Sequence, residues 1–240
     1  MKTITEGKVS LTKAGLAGLI DHTLLKPDAT PGDIIELCSQ AVKLGFKTVC
    51  VNPCYTPLAS KELTGSAVQV CTVVGFPLGA GDSDIRALEA GVAVRAGASE
   101  VDVVLQLGIF KGGLLKQVQD DLAAVVQAAK RENSQVVVKV ILETCLLHDQ
   151  EKIVACRLAV EAGADFVKTS TGFGKGGATT QDVALLRGSV VPSFGVKAAG
   201  GIRNLQTALN MIEAGANRLG TSSGPAILLE HANLINLQPG

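Results

Sequence analysis

The sequence predicts a single (β/α)8 barrel of the TIM type, an α/β fold spanning residues 1–240, and three observations predict it. Short β-branched runs alternate with longer Ala/Leu-rich helical patterns from end to end, with no composition break or linker between them. Glycine punctuates the alternation: Ala96-Gly97-Ala98, Ala162-Gly163-Ala164 and Ala214-Gly215-Ala216 each close a helix just before a strand, with Leu44-Gly45-Phe46 a looser copy. The length, 240 residues, suits one barrel, for which about 250 is typical. An open doubly wound sheet is the structural competitor, but it rarely uses eight such regular units.

The elements follow in order. Residues 19–23 and 48–52 read as the first two strands, the second carried by Val49 and Val51. Residues 69–75 and 100–106 are richer in valine, with Val70, Val73 and Val74 in one and Val101, Val103 and Val104 in the other. Residues 136–142 are apolar throughout except for Lys139, and 165–170, 195–199 and 218–221 complete the set. Short apolar runs of this kind suit parallel strands covered on both faces. Helical patterns at 33–44, 83–95, 117–131 and 150–161 fill the gaps, and Gly45, Gly97, Gly163 and Gly215 supply left-handed caps where they close a helix.

Five residues beyond the four capping glycines stand Cys50, Asp102, Lys168 and Gly220. The caps lie about two βα units apart, so these residues belong at one level on the second, fourth, sixth and eighth strands. A barrel interior is filled by layers of four side chains from alternate strands. This layer holds a thiol, a carboxylate, an amine and no side chain, a composition unsuited to stability alone.

Charges inside strands carry the argument further. Asp102, Lys139, Lys168 and Lys197 occupy four consecutive strands, where neither face offers water. Lysine and aspartate are almost never fully buried unless paired. One account is a structural ion-pair network plugging the barrel, although desolvation can cancel the Coulomb gain of buried pairs. It leaves three lysines against one carboxylate. The other account uses the excess. An amine attacks a carbonyl only when neutral, and an unperturbed lysine has a pKa of about 10.4, so populating the neutral form near about pH 7 to 8 requires about 4 kcal/mol. A second ammonium about 5 Å away supplies on the order of 3 kcal/mol at an effective dielectric of about 20. Partial desolvation can supply the remainder. One lysine thus primes another for imine formation, and Asp102 is the natural proton carrier.

Three loops after late strands carry glycines and small residues: Thr169-Ser170-Thr171-Gly172 with Gly174, Gly176 and Gly177; Ala198-Ala199-Gly200-Gly201; and Thr221-Ser222-Ser223-Gly224. The last opens a helix with Pro225 in its first turn. Backbone amides at such turns form anion sites, and barrels often place phosphate after strands seven and eight. The chemistry so indicated is imine formation between a lysine and the carbonyl of a small phosphorylated substrate.

Composition excludes other classes. Hydrophobic residues make up 47% and aromatics only 3%, so the core must be mostly Val, Ile, Leu and Ala. Lys plus Arg and Asp plus Glu balance at 22 each, with no basic footprint for a nucleic-acid partner. The six cysteines show no CxxC spacing and read as reduced thiols. Glu6, Lys8 and Lys13 interrupt the start, so no signal peptide is expected, and no apolar run is long enough for a membrane. A cytoplasmic location is the expectation.

Asp21-His22-Thr23, Cys50-Val51-Asn52-Pro53, Glu100-Val101-Asp102, the run Val167-Lys168-Thr169-Ser170-Thr171-Gly172-Phe173, Val196-Lys197-Ala198-Ala199-Gly200-Gly201-Ile202-Arg203 and Gly220-Thr221-Ser222-Ser223 together resemble the deoxyribose-phosphate aldolase family over nearly the whole chain. The resemblance implies reversible cleavage of 2-deoxy-D-ribose 5-phosphate to glyceraldehyde 3-phosphate and acetaldehyde, without metal or other cofactor. It implies that Lys168 forms the imine, and that Asp102 and Lys197 move protons through a water, Lys197 also keeping Lys168 neutral. Gly172, Gly200, Gly201, Ser222 and Ser223 would hold the phosphate; Asp21, Thr23 and Thr171 would meet sugar hydroxyls; Lys139 would support the pocket. It further implies a homo-oligomer, a dimer or tetramer. Two departures stand out. Gln106-Leu107-Gly108 replaces the usual Asn-Ile-Gly, reshaping the pocket mouth, and the tail ends Asn236-Leu237-Gln238-Pro239-Gly240 where many members carry a tyrosine.

Rival readings remain in view. A metal-dependent aldolase needs clustered histidines, and His22, His148 and His231 are scattered, although His22 is expected at the pocket rim. A non-catalytic sugar-phosphate-binding barrel conflicts with the joint presence of Asp102, Lys168 and Lys197. A Schiff-base aldolase with a ketone donor would need more room than a pocket floored by Cys50 and bounded by Val104. Cys50 itself reads as a small core residue, exposed at most to unsaturated aldehydes.

Overall fold

The computed structural model describes residues 2–5 and 8–236; the tail at 237–240, where the missing tyrosine was noted, lies outside them. An antiparallel hairpin, β1 (Lys2–Thr5) and β2 (Lys8–Leu11), precedes the barrel. Eight parallel strands then close on themselves: β3 (Ile20–Leu24), β4 (Thr48–Val51), β5 (Gln69–Val74), β6 (Glu100–Val104), β7 (Val137–Ile141), β8 (Phe166–Lys168), β9 (Gly195–Ala199) and β10 (Arg218–Thr221), with β10 beside β3. The predicted strands are all present, within two residues at every boundary. The hairpin was not foreseen.

Helices intervene: α1 (Lys13–Ala17), α2 (Pro31–Leu44), α3 (Thr56–Glu62), α4 (Ser83–Arg95), α5 (Leu107–Lys111), α6 (Leu115–Glu132), α7 (Asp149–Glu161), α8 (Thr180–Gly188), α9 (Leu205–Glu213) and α10 (Gly224–Asn236). Their starts are built by side chains that accept free backbone N–H groups, Thr30 with Asp33 for α2, Asp82 for α4, Thr179 for α8 and Asn204 for α9. Their ends turn at Gly45, Gly97, Gly163 and Gly215, all at positive φ as the punctuation required. Among the described residues no helix is long and apolar enough to cross a membrane.

The register confirms the mixed layer. From Cys50, paired neighbours lead through Cys71 to Glu100, two residues before Asp102. From Asp102 they lead through Lys139 to Phe166, two before Lys168, and from Lys168 through Lys197 to Arg218, two before Gly220. Every second strand therefore climbs by two residues, the stagger that strand tilt imposes on a closed barrel. Alternate residues such as Val49, Val101, Val138, Val167 and Val196 face outward into one continuous apolar shell under the helices. Inside the barrel the apolar content is small, a cluster of Leu25, Cys50, Cys71 and Val73. Beside it, with Val104, Ile141 and Ala199, the interior holds a cluster of charged side chains.

Candidate active site

Seven charged side chains fill the barrel. Asp102 accepts from Lys139 at 2.8 Å on one oxygen and from Lys197 at 2.8 Å and Lys168 at 2.9 Å on the other. Lys197 also meets Asp21 at 2.5 Å, Asp21 meets Arg218 at 2.6 Å, Arg218 grips Glu100 with two bonds of 3.0 Å, and Glu100 returns to Lys139 at 2.6 Å. Three cations and three carboxylates thus alternate in a closed ring, Lys139–Glu100–Arg218–Asp21–Lys197–Asp102. Lys168 is appended to it through Asp102 alone. The ring is neutral; Lys168 is the surplus charge.

Burial opposes the charges of Asp21, Asp102, Lys139, Lys197 and Arg218, and their partners overcome it. Lys197 and Lys139 are held well above the ordinary lysine range, with Asp102 the leading favourable neighbour of each, and Arg218 is raised by Asp21 and Glu100. Asp102 is held well below the usual carboxylate range by its three lysines, and Asp21 by Lys197 and Arg218. Asp21 and Asp102 each face at least two cations, which is why attraction wins over desolvation there. The sequence reading of three lysines against one carboxylate is corrected on this point: the carboxylates are three and the cations four.

Above the ring a cavity of about 300 Å³ opens at the C-terminal ends of the strands. Lys168 lines it, together with Thr23, Thr171, Gly172, Gly200, Gly201 and Ser222. All three glycine-rich loops therefore reach one cavity. Two glycines bear on how the loops and the lysine fit. A Cβ on Gly177 would lie 2.3 Å from the Gly200 carbonyl oxygen, so the first loop can rest on the second only without a side chain. At Gly220 a Cβ would lie 3.1 Å from Lys197 Cε, and its absence leaves space beside the lysine stem. Gly200 and Gly201 both adopt positive φ at the turn after β9.

The other expected site residues lie deeper or aside. Asp21, Cys50, Lys139, Asp102 and Lys197 are fully buried below the cavity, and Ser223 turns its backbone N–H onto Thr221 Oγ1 at 2.9 Å. Asp21 spends both oxygens on Lys197 and Arg218. His22, expected at the rim, is instead on the outer face: Asp21 and Thr23 point inward, so His22 points out, packs at a tilt against the Phe46 ring and meets Gln40 at 3.0 Å. Gln106 bonds Gly81 O at 3.1 Å and lines a second cavity formed with residues 78–83, away from Lys168. Missed by sequence reasoning were Glu100 and Arg218, which share strand parity with Asp102 and Gly220, and the basic rim residues Lys26 and Arg203.

Donor atoms of Cys50, Cys71 and Asp102 lie within 4.8 Å of one another. The grouping suits a dication poorly, because both Asp102 oxygens already accept from lysines in a cluster with positive charge to spare. The Cys71 thiol donates to Asp102 at 3.3 Å. Burial pushes the Cys71 thiol well above the ordinary thiol range.

Fold and site together are those of a carbon–carbon lyase, an aldolase built on an eight-stranded β/α barrel. The model of the DeoC/LacD family of aldolases matches residues 16–230. The deoxyribose-phosphate aldolase of Carboxydothermus hydrogenoformans is 57% identical over 220 residues, 92% of this chain and 96% of the relative. That of Brevibacillus brevis is 56% identical over 209 residues, 87% and 93% of the two chains. Among solved structures, the deoxyribose phosphate aldolase of Aeropyrum pernix, described as a unique tetramer, superposes with a TM-score of 0.87 at 37% identity and covers 93% of each chain. The chain belongs to the DeoC/LacD aldolase family.

Proposed function

We propose that the chain reversibly cleaves 2-deoxy-D-ribose 5-phosphate into D-glyceraldehyde 3-phosphate and acetaldehyde through a Schiff base on Lys168. One observation carries the reading: of the four interior cations, three close a neutral ring and the fourth, Lys168, is the one that borders the cavity. Giving up its proton balances the interior, so the amine that meets the substrate is the one the cluster can best spare. The shared name of the relatives supports the substrate.

In this reading the Lys168 amine adds to the C1 aldehyde of the open-chain sugar, and loss of water leaves an iminium. A proton leaves the C3 hydroxyl, the C2–C3 bond breaks, and its electron pair moves into the iminium to give an enamine. Glyceraldehyde 3-phosphate departs; protonation at C2 and hydrolysis release acetaldehyde and restore the amine. Asp102 is too firmly ionised by its lysines to hold a proton for long, so with Lys197 it serves as counter-ion and relay to a water. Gly172, Gly200, Gly201, Ser222 and Ser223 receive the phosphate beside the start of α10, with Lys26 and Arg203 adding positive charge. Thr23 and Thr171 meet sugar hydroxyls, while Asp21 and Lys139 act from below, keeping Lys197 and Asp102 charged and in place. Cys50 floors the pocket. The A. pernix relative's assembly supports a homo-oligomer.

Borohydride reduction in the presence of acetaldehyde is the test. Peptide mass spectrometry should find a reduced two-carbon unit on Lys168 and none in Lys168→Met. A barrel that only binds sugar phosphates gives no adduct, and a ketone-donor aldolase is trapped by dihydroxyacetone phosphate instead.

A further inference from the structure

Glu143, just beyond β7, stands out on two counts. It is the sole non-glycine residue at positive φ among those described, with φ 52 and ψ 62, a conformation that side chains with a Cβ rarely adopt and that tends to persist where function requires it. Its carboxylate is buried, yet it has no cationic partner among the described residues. It accepts from the Thr171 backbone N–H at 3.3 and 3.4 Å and from the Thr171 hydroxyl. A Cβ on Gly174 would lie 3.2 Å from the same carboxylate, so the cavity loop is drawn tightly around it. The backbone of the next residue helps, Thr144 N–H donating to Thr169 O at 2.9 Å.

Thr171 is therefore fully committed on one side. A hydroxyl has one proton and two lone pairs. The proton goes to Glu143, and one lone pair takes the Phe173 N–H at 3.0 Å. One lone pair is left, and Thr171 lines the cavity. We infer that Glu143 is a positioning residue for the sugar: it fixes the polarity of Thr171 so that this hydroxyl can only accept from a substrate hydroxyl, and it holds the Thr171–Phe173 wall against the cavity. The inference rests on the reading of Lys168 and its sugar phosphate given above. It assigns to the site a preference for acceptors bearing a hydroxyl that can donate, at a place set by the β7 turn.

Two part-reactions separate this role from the chemistry. Cleavage of 2-deoxy-D-ribose 5-phosphate needs the sugar hydroxyls oriented; borohydride-trapped imine formation with acetaldehyde involves neither hydroxyl nor phosphate. Glu143→Gln keeps the shape but offers an amide N–H, which lets the Thr171 hydroxyl reverse; Thr171→Val removes the hydroxyl without touching Glu143; Thr171→Ser restores it. For Glu143→Gln and Thr171→Val, kcat/KM on the sugar phosphate should fall about 10- to 100-fold, the usual range for residues that orient a contact group. The acetaldehyde adduct should form on Lys168 at a rate near that of the unmodified protein in both, and Thr171→Ser should recover most of the sugar activity. Unchanged sugar cleavage in Thr171→Val overturns the inference. So does a parallel fall of both part-reactions in the two variants, which would put Glu143 in service of Lys168 or of the fold alone. If the unmodified protein forms no adduct and cleaves no sugar phosphate, the proposed function fails first, and that outcome is distinguishable from either.

Discussion

Two buried ionic clusters in this molecule behave in opposite ways. Between α4 and α6, outside the barrel, Arg86 meets Asp121 at 2.8 Å with both side chains buried. There burial wins: it lowers the Arg86 guanidinium below its ordinary range and raises the Asp121 carboxyl above its own, against the pull of each on the other. Inside the barrel Asp21, Asp102, Lys139, Lys197 and Arg218 are shifted the other way, toward their charged forms. The distance between partners is much the same. What differs is the number of opposite charges each group meets in direct contact, one in the pair and at least two in the ring. The lesson is one of counting. A balanced pair can only hold elements together; a neutral ring leaves the one cation at the cavity as surplus charge.

The strongest way to break the comparison is to open the ring. Lys197→Leu removes the shared neighbour of Asp21 and Asp102, and the cation beside Lys168. We expect a loss on the order of 10³-fold in kcat, comparable to removing a preorganised electrostatic group, and a rate–pH profile displaced to higher pH. A displaced profile is the decisive part; a slower enzyme with an unmoved profile would make Lys197 a mere support. Next in size is the pair. Arg86→Met strands a buried carboxylate and should cost about 3 to 5 kcal/mol in urea unfolding, while Arg86→Met with Asp121→Leu should return most of it. Neither should alter kcat per folded molecule, since the pair touches no cavity residue near Lys168.

The smallest effect is in acid. Asp21 and Asp102 have folded values depressed below the unfolded carboxylate value, so their stabilisation is present above about pH 4 and is lost as pH falls below it toward the folded values. The raised lysines act at the other end, contributing fully below about pH 10.4 and fading as pH rises through their folded values. Asp121 has the opposite sign, its raised value favouring the folded state as pH drops. Urea midpoints should thus be level between about pH 5 and 8 and fall below about pH 4, and Asp102→Asn should flatten that fall. A midpoint that declines steadily from neutrality would show that the ring is not what holds these carboxylates charged.

Much of this was legible beforehand. The valine runs, the glycine caps and the five-residue offset placed Cys50, Asp102, Lys168 and Gly220 at one level, and the register agrees. Glu100 and Arg218 escaped because each sits at the first residue of its strand, where a pattern cannot tell an interior side chain from a solvated strand start. Asp21 was seen but assigned to the sugar, since its partner Arg218 lies 197 residues away in sequence and only barrel closure brings them together. His22 was misplaced by one step of strand parity. Glu143 left no mark at all: nothing in its residue type announces a left-handed backbone. The hairpin β1–β2 was too short and too mixed in composition to register as a strand pair.

The central claim is that Lys168 is the neutral member of the cluster. Side-chain nitrogen NMR of lysine-labelled protein at pH 7.5, with Lys168→Met, Lys139→Met and Lys197→Met used for assignment, tests it most directly. The account predicts an amine resonance for Lys168 and ammonium resonances for Lys139 and Lys197. An ammonium at Lys168 with an amine at either of the others would contradict it.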